Sequence, residues 1–182
     1  LVEALDPVGS LQLAAASVGV AHNVIPREGS ISFACSSADA EALQGRLEEL
    51  QQRWRSYLPA ADHSLELLLY PCAPAKVMSN ANSRDLLRVL AALPHGAQAY
   101  SLEQPADLVD LSINLARLQL AAGKLELESS LRFFNPEQAA GLRMAVEGLA
   151  QLAGLHMKRI AGYPGWQPDF ASPLLARGKA LH

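Results

Sequence analysis

Two side chains in the second half of the sequence, Asn114 and Arg132, have the chemistry to bind a carboxylate. Each lies in a run of alternating apolar and polar residues, at 108–120 and 124–134, and the two runs predict one antiparallel hairpin. Across the predicted hairpin Asn114 lies diagonally from Arg132, whose guanidinium matches a carboxylate through two parallel hydrogen bonds. The face that the apolar side chains leave open carries Asp110, Ser112, Asn114, Ser130 and Arg132. The alternative is that this face is an ordinary solvent-facing sheet surface that binds no ligand.

The sequence lacks the motifs of nucleophilic, redox and metal chemistry. It has no Gly-x-Ser-x-Gly elbow, no Cys-x-x-Cys, no His-Glu-x-x-His and no glycine-rich phosphate loop. Its histidines stand singly: His22, His63, His95, His156 and His182. Glu48 and Glu49 are adjacent on a predicted helix and point about 100° apart, so they cannot share a small site. We therefore expect no catalytic residue and no metal ligand in this chain, which should bind rather than catalyse.

Two helices are predicted from capping residues and apolar stripes. Ser36 begins the first helix in a capping box with Asp39, and Asn135 begins the second. In both helices the stripe recurs at spacings of four, three and four: Leu43, Leu47, Leu50 and Trp54 in the first, and Leu142, Val146, Leu149 and Ala153 in the second. Both caps and both stripes superpose at a shift of 99 residues.

This coincidence predicts an internal duplication of a strand-strand-helix-strand unit. The ferredoxin-like units fall at about 10–71 and 107–162, and each ends in a predicted strand, at 64–70 and at 155–160. A linking helix is predicted at about 81–94. The fold class is α+β, with a mainly antiparallel sheet and its helices on one face. The alternative is that any two helices of an α+β domain can share such a spacing.

Composition excludes several classes of protein. Half of the 182 residues are hydrophobic, so a disordered chain is excluded. The net charge of −3 is spread along the chain and only 5% of residues are aromatic, which disfavours nucleic-acid partners. The apolar stretch 11–21 is too short to span a membrane, and two cysteines without metal spacing suit the cytoplasm. We expect a cytoplasmic domain with neither nucleic-acid nor membrane partners.

Four segments stand out by their residue order: His22-Asn-Val-Ile-Pro-Arg-Glu28, Ser112-Ile-Asn-Leu115, Ser130-Leu-Arg132, and Gly162-Tyr-Pro-Gly-Trp-Gln-Pro168 followed by Ser172-Pro173. Together they resemble bacterial aminoacyl-histidine (Xaa-His) dipeptidases, of the di-zinc peptidase and aminoacylase superfamily. Asn-Val-Ile-Pro recurs across that superfamily, whereas Tyr-Pro-Gly-Trp-Gln-Pro is much more specific. The resemblance extends from about residue 11 to the C-terminus.

The resemblance implies that residues 1–182 are the lid domain that interrupts the catalytic domain of such an enzyme, with 163–182 as the return segment. The whole enzyme would be a metal-dependent dipeptidase that hydrolyses Xaa-His dipeptides at two divalent metal ions, expected to be zinc, in the catalytic domain. This fragment should be inactive alone and bind none of those ions. Its expected partners are the dipeptide substrate, its own catalytic domain and a second copy in a homodimer.

The resemblance also implies roles for single residues. Asn23 and Arg132 would grip the dipeptide, with Arg132 facing its C-terminal carboxylate. Several relatives use a lid histidine to polarise the scissile carbonyl, but neither His22 nor His95 lies in a matching motif. Trp166 is expected to pack between the domains. The two tandem units of one chain would replace the two lids that pair in dimeric relatives.

The ends of the sequence lead us to expect a piece of a longer protein. The chain begins with Leu1, and a helix predicted to start at Ser172-Pro173 closes without a stop signal. Two other functions stay open. An interaction module of ferredoxin-like units would self-associate through a sheet edge or helix face, and a small-molecule sensor would bind a free amino acid or dipeptide. Both predict a gene that ends near His182.

Overall fold

The computed structural model of the chain describes residues 2–73, 76–102 and 107–181, so His182, one of the single histidines, lies outside it. The elements are α1 (Val2–Leu5), β1 (Gln12–Val18), β2 (Gly29–Ala34), α2 (Ser37–Tyr57), a short 3₁₀ helix (Ala60–Asp62), α3 (Asn80–Ala92), β3 (Gly96–Tyr100), β4 (Val109–Ala121), β5 (Lys124–Phe133), α4 (Pro136–Leu152) and α5 (Pro173–Ala180). Strand β1 pairs antiparallel with β2 and β4, β3 pairs antiparallel with β4, and β5 pairs with β4. The predicted α+β class with an antiparallel sheet is confirmed.

The chain forms two compact units, and each is built from several segments. Unit 1 comprises Leu1–Gly19, Pro26–Ala92 and Arg117–Leu127, and unit 2 comprises Val20–Ile25, Leu93–Ala116 and Glu128–His182. Strands β4 and β5 therefore contribute one part to each unit. The loop Val20–Ile25 belongs to unit 2 although the strands on both sides of it belong to unit 1.

The core of unit 1 contains the stripe predicted for α2. Leu43, Leu47 and Leu50 are buried, and Trp54 packs against them while partly exposed. The core also includes Ala4 and Leu5 of α1, an element that the sequence did not predict because four residues are too short to show a helical period. On α4 the matching stripe is only half-buried.

A buried hydroxyl connects α3 to β1 within unit 1. Ser83 is fully buried, and its Oγ accepts a hydrogen bond from the Leu13 backbone N–H at 2.9 Å. The same hydroxyl donates to the Ser79 carbonyl oxygen at 2.8 Å. Leu13 lies at an irregularity in the pairing of β1 with β2, so Ser83 satisfies a backbone donor at a point where the ladder is interrupted.

The β4–β5 hairpin turns through Ala122 and Gly123, whose φ angles are 51° and 77°. Two consecutive residues with positive φ are typical of the mirror-image turns that match the twist of two antiparallel strands. The prediction of a glycine with positive φ at this turn is confirmed. A β-branched residue at either position would be strained.

Strand β4 buries alternate residues, but the alternation changes phase along the strand. The buried side chains are first Leu111 and Ile113 and then, on the other face, Ala116, Leu118 and Leu120. The change falls between Ile113 and Ala116, in the part of the strand that belongs to unit 2. Asp110 was expected on the open face and is buried instead.

No strand forms at 64–70 or at 155–160 within the described residues, so the prediction of two tandem ferredoxin-like units is not supported. The strand-strand-helix order does occur twice. At 64–70 the backbone bonds to side chains of α2, since the Leu67 N–H donates to Gln51 Oε1 and the Leu65 carbonyl accepts from Arg55 Nε. An alternating pattern forms a strand only where a neighbouring strand offers its backbone groups.

The second predicted strand that does not form, at 155–160, follows the end of α4. Gly154 adopts a positive φ of 67°, and the Leu155 N–H donates back to the Ala150 carbonyl at 2.8 Å, which ends the helix. The chain then continues without a strand partner, and Ile160 is 78% exposed. The predicted glycine C-cap is therefore confirmed, whereas the strand predicted after it is wrong.

The segment 163–168 lies against the end of β5 through a glycine. A Cβ on Gly165 would fall inside contact distance of the Phe133 carbonyl oxygen and 2.9 Å from the Phe134 carbonyl oxygen. The backbone can therefore approach this closely only because position 165 has no side chain. Trp166 is 70% exposed in this chain, so its expected packing between domains stays a prediction.

We predict that Gly165→Ala lowers the free energy of unfolding by about 1–3 kcal/mol, because the added methyl group must push the segment away from β5. Thermal and denaturant unfolding followed by circular dichroism would measure the loss. The matched control is Gly162→Ala, where nothing lies within 4 Å of the added Cβ and no change or a slight gain is expected. Equal stabilities of the two variants would contradict the contact.

Candidate functional site

The structure places Asn114 where it holds another part of unit 2 in position. Asn114 lies on β4 and is half-buried. Its Nδ2 donates a hydrogen bond to the Val24 carbonyl oxygen at 2.9 Å. Its Oδ1 is buried and has no hydrogen-bond partner among the described residues. The side chain thus fixes the backbone of the loop Val20–Ile25 and retains one unused acceptor.

The loop held by Asn114 carries the predicted binding residue Asn23. The Val24 N–H donates to the Ala21 carbonyl oxygen at 3.3 Å, which closes a turn with His22 and Asn23 at its centre. Both central side chains are exposed. Asn23 is therefore presented to solvent one residue away from the carbonyl that Asn114 binds.

Arg132 lies on β5, and its side chain is exposed. The Phe134 N–H donates to the Asp110 carbonyl oxygen at 3.1 Å, so these two residues lie opposite each other at the end of the hairpin. The turn through Ala122 and Gly123 sets Ala121 opposite Lys124, a register that differs by one residue from this pairing. The placement of Arg132 opposite Ser112 and diagonal to Asn114 therefore stays a prediction. Within the described part of the chain Arg132 forms no hydrogen bond or ion pair, so its guanidinium is available to a ligand.

A histidine that sequence reasoning left unassigned supports the same stretch of β4. His95 lies directly before β3, and its Nδ1 accepts a hydrogen bond from the Leu115 backbone N–H at 3.1 Å. In this bond Nδ1 is the acceptor, which leaves Nε2 as the other polar atom of the ring. Its sequence signal is weak, since only the turn-forming Pro94 and Gly96 around it mark the position.

We group Asn23, Asn114 and Arg132 of unit 2 as a candidate site, called here the recognition surface. The guanidinium supplies charge and paired donors, the exposed amide supplies one acceptor and two donors, and Asn114 anchors the loop between them. This combination suits a small ligand with a carboxylate and a neighbouring amide. It contains no nucleophile paired with a base, so the surface can bind and orient a ligand but cannot cleave one.

The described residues do not fit a metal centre. Within 2–73, 76–102 and 107–181 no group of three or more histidine, cysteine, aspartate or glutamate side chains is arranged to hold a metal ion. Two-metal hydrolytic centres need such clusters. We therefore derive no catalytic step at a metal held by this chain. In the same residues, none of the helices has the length and apolar character to cross a membrane.

Comparison with known proteins identifies what the chain is similar to. No protein-family model matches it. The cytosol non-specific dipeptidase of Escherichia coli (strain K12) is 28% identical over 158 residues, which span 86% of this chain and 32% of that protein. The crystal structure of aminoacylhistidine dipeptidase from Vibrio alginolyticus matches with a TM-score of 0.85 and 21% identity, over 96% of this chain and 36% of that one.

The two matches agree with the resemblance expected from the residue order of four segments. Because the chain spans about a third of the length of each relative, the similarity concerns one part of those proteins. The fold of the chain is that of the corresponding part of the Vibrio alginolyticus structure. The chain matches part of the aminoacyl-histidine and cytosol non-specific dipeptidases and is consistent with a domain of such a protein.

Proposed function

We propose that this chain is the substrate-recognition lid domain of a metal-dependent dipeptidase, and that it closes over a di-metal site held by a catalytic domain outside the chain. The observation that carries the proposal is the exposed guanidinium of Arg132, which has no partner among the described residues and lies on the strand paired with that of Asn114. Asn114 in turn holds the loop that carries Asn23. The similarity to two dipeptidases over most of the chain supports the same conclusion.

In this function Arg132 binds the C-terminal carboxylate of the dipeptide through two parallel hydrogen bonds. Asn23 bonds to the peptide group of the substrate. A free carboxylate is common to all dipeptides, so Arg132 selects for the length of the substrate rather than for its side chains. We propose Xaa-His dipeptides as the substrate class, since one relative bears the name aminoacylhistidine dipeptidase.

The hydrolytic step is assigned to the proposed catalytic domain, where two divalent ions, expected to be zinc, would supply the activated water. The lid would contribute binding, orientation and exclusion of solvent around the bound dipeptide. We further propose a cytoplasmic enzyme that forms a homodimer. No nucleic-acid or membrane partner is part of this proposal.

Within the lid, we assign Asn114 as a positioning residue. Its Nδ2 donates a hydrogen bond to the Val24 carbonyl. This bond orders the backbone beside Asn23 before a ligand binds. Such preorganisation lowers the ordering cost of binding. The role therefore differs from the direct ligand contact that the sequence suggested for Asn114.

We predict that Arg132→Ala lowers kcat/KM for dipeptides by roughly thirtyfold to several thousandfold in the full-length enzyme, since removing a charged partner costs about 2–5 kcal/mol. Arg132→Lys should recover only part of the loss because it keeps the charge without the fork of donors. Arg177→Ala, an exposed arginine on α5, is the control for general charge removal. Unchanged kinetics for Arg132→Ala would refute the assignment and favour a non-catalytic interaction module.

Asn114→Ala is expected to lower kcat/KM by roughly fivefold to a hundredfold, because the loop loses a bond worth about 1–3 kcal/mol in a partly buried setting. A double-mutant cycle with Asn23→Ala tests the positioning role: the second substitution should cost much less once the first is made. Gln119→Ala removes a comparable side-chain bond, to Ser17 on the neighbouring strand in unit 1, and should leave the kinetics unchanged. Additive effects of the Asn114 and Asn23 substitutions would show that Asn114 does not act through the loop.

The chain by itself should hydrolyse no dipeptide, even with added zinc, manganese or cobalt. The described residues offer neither a metal cluster nor an activated nucleophile, so nothing in them can generate the attacking group. Chromatographic detection of the free histidine released from Xaa-His dipeptides would measure the activity. Metal-dependent turnover by the purified chain would overturn the division of roles between lid and catalytic domain.

A further inference from the structure

Asp110 is a buried carboxylate that the proposed function does not use. It lies near the start of β4 with 9% of its surface exposed. Its Oδ1 is buried and has no hydrogen-bond partner among the described residues. Its backbone carbonyl is engaged, since it accepts from the Phe134 N–H. The side-chain oxygen Oδ1 is thus an acceptor of Asp110 that lacks a partner in the described part of the chain.

This carboxylate lines a cavity of about 190 Å³ in unit 2. The other lining residues are Ser101, Leu102, Asn135, Gln138 and Gln167. They come from the end of β3, the start of α4 and the segment that follows Gly165. Three carry side-chain amides and one carries a hydroxyl, and Asp110 has the one ionisable side chain among these described lining residues.

The lining contains no lysine or arginine that could neutralise Asp110. Arg132 lies on the neighbouring strand but does not line the cavity. One of the amides is already committed, because Asn135 Oδ1 accepts from the Glu137 N–H at 2.9 Å as the cap of α4. The cavity therefore presents one unpaired carboxylate together with the neutral amides of Gln138 and Gln167. Leaving a buried charge unpaired is unfavourable unless a cation can reach it.

We propose that this cavity binds the ammonium group of a small primary amine. A primary ammonium carries one positive charge and three donors, which match one carboxylate and the carbonyl oxygens of nearby amides. A divalent metal would call for more than one charged ligand. The volume is several times that of one water and suits an ammonium head with a short carbon chain, and Leu102 offers an apolar surface for that chain. The inference does not depend on the proposed lid function.

The test is titration of the chain with methylammonium chloride, followed by two-dimensional amide NMR. We expect saturable shifts in the millimolar range at Ser101, Asp110 and Gln138. Tetramethylammonium has the charge without the N–H donors, and acetamide has donors without the charge, so neither should reproduce these shifts. Equal responses to methylammonium and tetramethylammonium, or no saturable shift, would mean that the cavity holds only water and would overturn the proposal.

Asp110→Asn keeps the shape of the side chain and should weaken methylammonium binding at least about tenfold. The substitution should leave the melting temperature of the chain unchanged or raise it, because an unpaired buried charge is removed. Methylammonium should raise the melting temperature of the unsubstituted chain but not that of the variant. Asp107→Asn, an exposed neighbour, and Arg132→Ala should bind methylammonium normally. Normal methylammonium binding by folded Asp110→Asn would refute the site.

Gln138→Ala provides a second variant if Asp110→Asn does not fold. It removes one amide from the exposed first turns of α4, so the fold should persist while methylammonium binding weakens severalfold. Unweakened binding in Gln138→Ala would overturn the proposed contacts. Normal amine binding by Arg132→Ala together with lost dipeptide kinetics would separate this site from the recognition surface.

Discussion

Strand β4 has to bury opposite faces in its two halves, and the positions of the proposed binding residues depend on that change of phase. Leu111 and Ile113 are buried on one face of the strand, and Ala116, Leu118 and Leu120 are buried on the other. If the first phase had continued, these last three side chains would lie on the open face. The change comes directly after Asn114. The open face therefore carries Asn114, and the same face of the strand is buried from Ala116 onward.

The recognition surface is held together by bonds from side chains to the backbone. Asn114 binds a backbone carbonyl of the neighbouring loop, and His95 accepts from the N–H of the next residue on β4. Asn114 and Leu115, which are consecutive on β4, thus bind the loop Val20–Ile25 and the residue before β3, which are remote in sequence. Arg132 remains uncommitted among the described residues, which leaves the charged group free while its surroundings are ordered.

The sequence was sufficient for features whose causes are local. The caps at Ser36 and Asn135, the apolar stripe of α2 and the glycine of the β4–β5 turn were all predicted, because each depends on residues within one or two turns of the chain. The diagonal placement of Asn114 and Arg132 stays a prediction.

Features that depend on a distant partner were not predicted. The alternating residues at 64–70 look like a strand, but side chains of α2 take their backbone groups. The buried position of Asp110 and the bond from Asn114 to Val24 depend on packing between segments far apart in sequence, which periodicity does not report.

The bond from Asn114 to the carbonyl of Val24 has an evolutionary consequence. It recognises a group that every residue type possesses, so the anchoring of the loop is independent of the side chains at positions 24 and 25. These side chains are exposed, Val24 at 42% and Ile25 at 69%. A substitution at either position can therefore become fixed without loss of the hydrogen bond that anchors the loop.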